Sequence, residues 1–131
     1  MNESLMERLR ILYVDDEDDI REIAVFALEL DGGLEVKSCS SGAQAVEQAA
    51  AWQPHLILLD VMMPGMDGPT TMRRIREQPG CEQLPIAFIT ARAQSEETQR
   101  LLALGAVGVV PKPFDALQLA RITRTLARGK T

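Results

Sequence analysis

The stretch His55-Leu56-Ile57-Leu58-Leu59-Asp60-Val61-Met62-Met63-Pro64-Gly65-Met66-Asp67-Gly68-Pro69 decides the fold. It opens as a short, unbroken apolar run, which predicts a strand covered on both faces, the third in the chain. The run ends in Asp60. Pro64-Gly65-Met66-Asp67-Gly68 reads as a loop, and Pro69 suits the first helical turn, where its missing N–H has no partner to lose. The helix that follows runs to about Gln78 and stops at Pro79-Gly80. A buried strand, a loop and a helix in that order form one repeat of a parallel α/β sheet.

The same unit recurs on either side. Ile11-Leu12-Tyr13-Val14 is an apolar run that stops at Asp15-Asp16, and about Asp18 to Leu30 follow helical spacing with Ile20, Ile23, Ala24, Ala27 and Leu30 on one face. Asp31-Gly32-Gly33 ends that helix. Leu34 to Ser38 alternates apolar and polar residues, as a half-covered edge strand does. Ala43 to Ala51 is a second helix, introduced by Ser40-Ser41-Gly42. Pro85 to Ile89 is a fourth strand ending at Thr90, and Ser95 is placed to cap a fourth helix that ends by Gly105. Val107 to Val110 is a fifth strand, and Asp115 caps a last helix carrying Leu117, Leu119, Ala120, Ile122 and Leu126. Five such units predict an α/β fold: a five-stranded parallel sheet, doubly wound with five helices. An alternating second strand at the edge fits the order 2-1-3-4-5.

The 131 residues fit one domain, with a core at about 9–128. A net charge of -5 argues against direct binding to nucleic acid or to an anionic membrane. No apolar run approaches the roughly 20 residues that span a bilayer. Glu3, Glu7, Arg8 and Arg10 leave no room for a signal-peptide apolar region. Cys39 and Cys81 belong to no paired motif and read as reduced thiols, so a cytoplasmic location is expected.

In a doubly wound sheet, ligands bind beyond the carboxyl ends of the strands. The first strand ends in Asp15-Asp16 with Glu17 next, the third in Asp60, the fourth in Thr90, and the fifth runs into Lys112. Three aspartates on one rim repel one another, and a divalent cation relieves the repulsion. Hard oxygen donors favour Mg²⁺, which also binds phosphate oxygens. A carboxylate can then attack a phosphoryl group, with Lys112 supplying positive charge and Thr90 a hydrogen bond.

Tyr13-Val14-Asp15-Asp16-Glu17, Leu59-Asp60-Val61-Met62-Met63-Pro64-Gly65-Met66-Asp67-Gly68, Ile89-Thr90-Ala91 and Val110-Pro111-Lys112-Pro113-Phe114 together resemble the receiver domain of bacterial response regulators. The resemblance implies a flavodoxin-like fold and a two-component signalling role. Asp60 resembles the phosphorylated aspartate, which takes its phosphoryl group from a histidine kinase or a histidine phosphotransfer protein. Asp16 and Asp60 look like direct Mg²⁺ ligands, Asp15 acts directly or through water, and the backbone carbonyl of Met62 looks like the third protein ligand. Thr90 resembles the hydroxyl that reports the phosphoryl group, and Lys112 the lysine that pairs with it. Lys112-Pro113 resembles a peptide that is usually cis in the family. Such a domain is no enzyme in the turnover sense; it assists its own phosphorylation and dephosphorylation. It switches a downstream protein target through Thr90 and the face of the fourth helix, fifth strand and fifth helix. One position departs: Val109 stands where the family often carries Tyr or Phe.

Blander readings compete. Asp15-Asp16 alone could cap a helix, and Asp67 reads as a loop and helix-start residue rather than a ligand. His55 begins the third strand; at about 3.3 Å per residue it lies near the rim opposite Asp60 and reads as structural. Met62, Met63 and Met66 read as loop packing. A phosphorylation-independent pseudo-receiver would keep the fold without the chemistry. An aspartate-nucleophile phosphatase would place a second aspartate where Met62 stands, and a flavodoxin would place a Ser/Thr-rich loop where the acidic pair stands.

Overall fold

A computed structural model describes residues 8–129. Ten elements alternate: β1 (Leu9–Val14), α1 (Asp18–Glu29), β2 (Leu34–Cys39), α2 (Gly42–Trp52), β3 (Leu56–Asp60), α3 (Gly68–Arg76), β4 (Ile86–Thr90), α4 (Ser95–Ala103), β5 (Gly108–Pro111) and α5 (Ala116–Ala127). The strands form one parallel sheet in the order β2-β1-β3-β4-β5. The α/β class, the doubly wound order and the edge position of β2 therefore stand as the sequence predicts.

Strand period sorts the side chains into two cores. Leu12, Val14, Ile57, Leu59 and Phe88 face α2, α3 and α4, where they meet Ala45, Ala49, Met72, Ile75 and Leu101. Ile11, Tyr13, Leu58, Ala87 and Val110 face the other way and meet Ala24 and Leu28 of α1 and Leu119 of α5. Every residue of β3 and β4 is buried. Burying one such leucine or isoleucine contributes about 1.5–3 kcal/mol.

Caps fix where the helices start. The Ser41 hydroxyl accepts from the N–H of Gln44 at 3.2 Å, the Asp67 carboxylate from Thr70 at 2.9 Å, and the Asp115 carboxylate from Leu117 at 2.9 Å. Ser95 does not cap α4: Gln94 holds the cap position without a side-chain bond, and Ser95 is already helical. Glu96 and Glu97 in that first turn favour its positive end instead. Gly105, which follows α4, has φ +108°, a conformation that disfavours side chains, and Arg76 packs against it.

The buried stripe of α1 differs from the expected one. Ala24, Ala27 and Leu28 face the sheet, while Ile23 and Leu30 are 55 % and 69 % exposed. Apolar residues ring this helix, so its spacing alone does not select the face. Leu117 and Ile122 of α5 are likewise exposed, and Leu119 and Thr123 are buried. No helix among the described residues is long and apolar enough to cross a membrane.

Candidate functional site

The carboxyl ends of β1, β3, β4 and β5 converge on one acidic recess. The ladder carries Asp15 just past β1, where its N–H donates to the Cys39 carbonyl at 3.1 Å. Its carboxylate is fully buried. Oδ2 accepts from the Tyr13 hydroxyl at 3.1 Å, and Oδ1 accepts from the Glu17 N–H at 3.0 Å. Asp60 closes β3 at 4 % exposure. Asp16 is half-buried, and one carboxylate oxygen from each of Asp15, Asp16 and Asp60 lies within 4.8 Å of the others.

Lys112 answers this negative charge. Its Nζ lies 3.2 Å from Asp15 Oδ2, 3.3 Å from Asp60 Oδ2 and 3.1 Å from Glu17 Oε1. The Lys112 N–H donates to the Thr90 carbonyl at 2.8 Å, and the following peptide to Pro113 is cis. Thr90 is buried at the end of β4, and its hydroxyl oxygen accepts from the Arg92 N–H at 2.9 Å. That bond uses a lone pair and leaves the hydroxyl proton free to donate.

Three carboxylates around one ammonium, with Asp16 close to two of them, leave the recess strongly negative. Burial first, then the Asp15 carboxylate beside it, pushes the Asp60 carboxyl up to about 6, against the pull of Lys112. Burial alone would lower the Lys112 ammonium, but its bond to Glu17 and the charges of Asp60 and Asp15 hold it above its ordinary value. Burial, reinforced by Asp15, raises Tyr13 and keeps its phenol protonated as a donor. Three hard oxygens at this spacing, with more negative charge than one lysine neutralises, fit a divalent cation of the Mg²⁺ type.

The sequence-derived residues Asp15, Asp16, Asp60, Thr90 and Lys112 thus share one rim. Met62 lies two residues past Asp60 in the loop out of β3, with its side chain 70 % exposed. Val109 sits on β5 opposite Phe88 and packs against the core under α2, α3 and α4. Asp67 caps α3. His55 Nδ1 accepts from the Arg10 N–H at 2.8 Å, at the far end of the sheet.

Tyr13 and Arg21 escape a reading of strand ends, and Glu17, named there beside the acidic pair, takes a part that reading did not assign. Tyr13 and Glu17 bond to Asp15 and Lys112 as described, and Arg21 Nη1 donates to the Asp15 carbonyl at 2.8 Å. The Tyr13-Val14-Asp15 alternation puts Tyr13 and Asp15 on one side of the strand, which was the available signal for the first. Gly68 is a further structural requirement: a Cβ there would stand 2.5 Å from the Asp60 carbonyl and 2.9 Å from Val61 Cα.

Residues 11–124 match the family described as the response regulator receiver domain. The chain is 40 % identical over 125 residues to the transcriptional regulatory protein CseB of Streptomyces avermitilis, covering 95 % of this chain and 52 % of that protein. It is 38 % identical over 122 residues to the phosphate regulon transcriptional regulatory protein PhoB of Rhizobium meliloti, covering 92 % and 53 %. The chain therefore spans about half the length of the curated relatives it matches. Among solved structures, the chemotaxis response regulator CheY4 of Vibrio cholerae superposes with a TM-score of 0.82 at 30 % identity, covering 91 % of this chain and 98 % of that one.

Proposed function

This chain belongs to the response regulator receiver domain family, and on that premise we propose that its Asp60 accepts a phosphoryl group from a phosphohistidine. The donor is a histidine kinase or a histidine phosphotransfer protein. The observation that carries the reading is the Lys112 ammonium held between Asp60 and Asp15 at 3.3 and 3.2 Å, at the mouth of the acidic recess.

An Asp60 carboxylate oxygen attacks phosphorus, the P–O bond forms as the P–N bond breaks, and the imidazole leaves carrying a proton. Asp15, Asp16, Asp60 and the Met62 carbonyl would hold Mg²⁺, which when bound neutralises charge on the transferring phosphoryl oxygens. Lys112 exchanges a carboxylate partner for a phosphoryl oxygen, with little movement because its backbone is pinned by Thr90 and Pro113. Thr90 turns its free hydroxyl proton toward the phosphoryl group. That inward turn shifts a pre-existing equilibrium of the α4–β5–α5 face toward a form that binds a downstream protein. Val109 supplies no aromatic ring for that relay, so the loop after β4 and the backbone of β5 carry it. Water later cleaves the acyl phosphate. The chain acts in the cytoplasm as a phosphoacceptor, not as a turnover enzyme, and its net charge of -5 suits protein partners over nucleic acid or membrane.

Intact-mass measurement after incubation with Mg²⁺ and acetyl phosphate tests this. The wild type is expected to gain one phosphoryl mass, and Asp60→Asn or addition of a chelator to abolish the gain. No gain in the wild type, or the same gain in Asp60→Asn, would leave a phosphorylation-independent module in its place.

A further inference from the structure

The inward stripe of α1 carries one residue that core packing does not explain. Ala24, Ala27 and Leu28 face the sheet. One helical turn before Ala24 and two before Leu28, the spacing puts Arg21 on that same stripe. A base therefore stands where the apolar stripe reaches the acidic rim, and its side chain is only 19 % exposed.

The two terminal nitrogens of Arg21 go to different partners. Nη1 donates to the Asp15 carbonyl at 2.8 Å, and Nη2 pairs with the Asp18 carboxylate at 2.6 Å. The Arg21 N–H donates to the Glu17 carbonyl at 2.9 Å in the first turn of α1, a turn that the Glu17 side chain does not cap. The guanidinium thus clips the start of α1 to the end of β1 from the side.

The Asp15 carbonyl is half of the peptide unit that joins Asp15 to Asp16. That unit is planar, so a bond to its oxygen fixes the direction in which the chain enters Asp16. Tyr13, Glu17 and Lys112 hold the Asp15 carboxylate directly. Asp16, half-buried beside it, is placed by its backbone. The oxygens of Asp15, Asp16 and Asp60 that lie within 4.8 Å of one another therefore depend on a plane that Arg21 holds. Charge and position act in opposite directions here. A guanidinium beside a cation site repels the cation, although the Asp18 carboxylate offsets part of its charge. Support of the ligand loop strengthens the cation's binding.

We propose that Arg21 is a positioning residue for the metal site. Its fork, braced on Asp18, holds the Asp15–Asp16 peptide so that the acid pair is aligned before Mg²⁺ arrives, and this gain outweighs the repulsion. The inference rests on the metal-assisted reading above and extends it to a residue that acts through the backbone of the acid pair.

Calorimetric titration with Mg²⁺, without any phosphodonor, tests this on the wild type, Arg21→Met and Arg21→Lys at low and high salt. Melting curves in chelator establish that each variant is folded at the titration temperature. Arg21→Met removes charge and fork together. It is expected to raise the Mg²⁺ dissociation constant roughly tenfold, a loss that persists in high salt because it does not arise from charge. Arg21→Lys keeps the charge as a point donor without the fork, should fall between the two, and decides the matter if Arg21→Met does not fold. An Arg21→Met that binds Mg²⁺ as tightly as the wild type or more tightly, a loss that disappears in high salt, or an Arg21→Lys equal to the wild type would overturn the proposal. A wild type that takes up no Mg²⁺ would overturn the metal-assisted reading and this inference together. A wild type that takes up Mg²⁺ but gains no phosphoryl mass would overturn the phosphoacceptor reading alone, and the three dissociation constants would still decide this one.

Discussion

Replacing Asp60 with asparagine should make the metal-free protein more stable, although it removes the central functional residue. The carboxyl is 4 % exposed and pushed up to about 6 from an ordinary 3.8. A carboxyl raised by folding binds its proton more tightly in the native state. Its favourable contribution is fully present below about pH 4 and is lost as pH rises through about 6. At pH 7 the wild type therefore carries an unfavourable buried charge worth roughly 3 kcal/mol. An amide of the same shape removes that charge and leaves Lys112 with Asp15 and Glu17. In chelator, the variant should gain about 2–3 kcal/mol at pH 7, or roughly 10 °C in Tm for a chain of this size. Urea titrations at pH 7 and pH 4 check this, with the gain shrinking toward zero at the lower pH. Adding Mg²⁺ should stabilise the wild type preferentially and narrow the gap. A variant no more stable than the wild type at pH 7, or one with an equal gain at both pH values, would refute the account of a crowded, under-neutralised recess.

Lys112→Met leaves Asp15 and Asp60 buried without their cation; it should cost about 3–5 kcal/mol near neutral pH, less in acid, by denaturant titration. Glu17→Gln removes a half-exposed charge from the rim, and Mg²⁺ affinity by calorimetry should fall by roughly fivefold at low salt and by less as salt is added. Gly68→Ala forces a methyl group against the backbone of Asp60 and Val61, so a loss of about 1–3 kcal/mol or more is expected, with weakened Mg²⁺ binding in the same preparation. Leu119→Ala empties a fully buried position under α5 and should cost about 2–5 kcal/mol with the Mg²⁺ affinity unchanged.

The rim was legible because buried strands leave few places for charge. An apolar run such as Leu56–Leu59 must end before a carboxylate, so Asp60 marks both the strand terminus and the site. The same logic located Asp15, Thr90 and Lys112. It failed where the choice belongs to tertiary packing. Ile20, Ile23, Phe26, Leu28 and Leu30 surround α1, and only the sheet beneath decides that Leu28 goes in and Ile23 stays out. The Glu17–Lys112 pair spans 95 positions, and no local pattern announces it. Ser95 looked like a cap because its residue type favours that role, yet α4 begins one residue earlier, with its acidic first turn supplying the complement to the dipole.

The sheet is also a partition. The cores above and below it share no residue, with Val109 lining one and Val110 the other. Substitutions buried on opposite sides, such as Leu119→Ala and Met72→Ala, should be energetically independent, since they belong to separate cores. Any message between the two halves must then run along strand backbones or around their ends. Among the described residues, the border crossing rich in chemistry is the acidic rim, where Tyr13 reaches Asp15 from one side and the loop beyond Asp60 leads to α3 on the other.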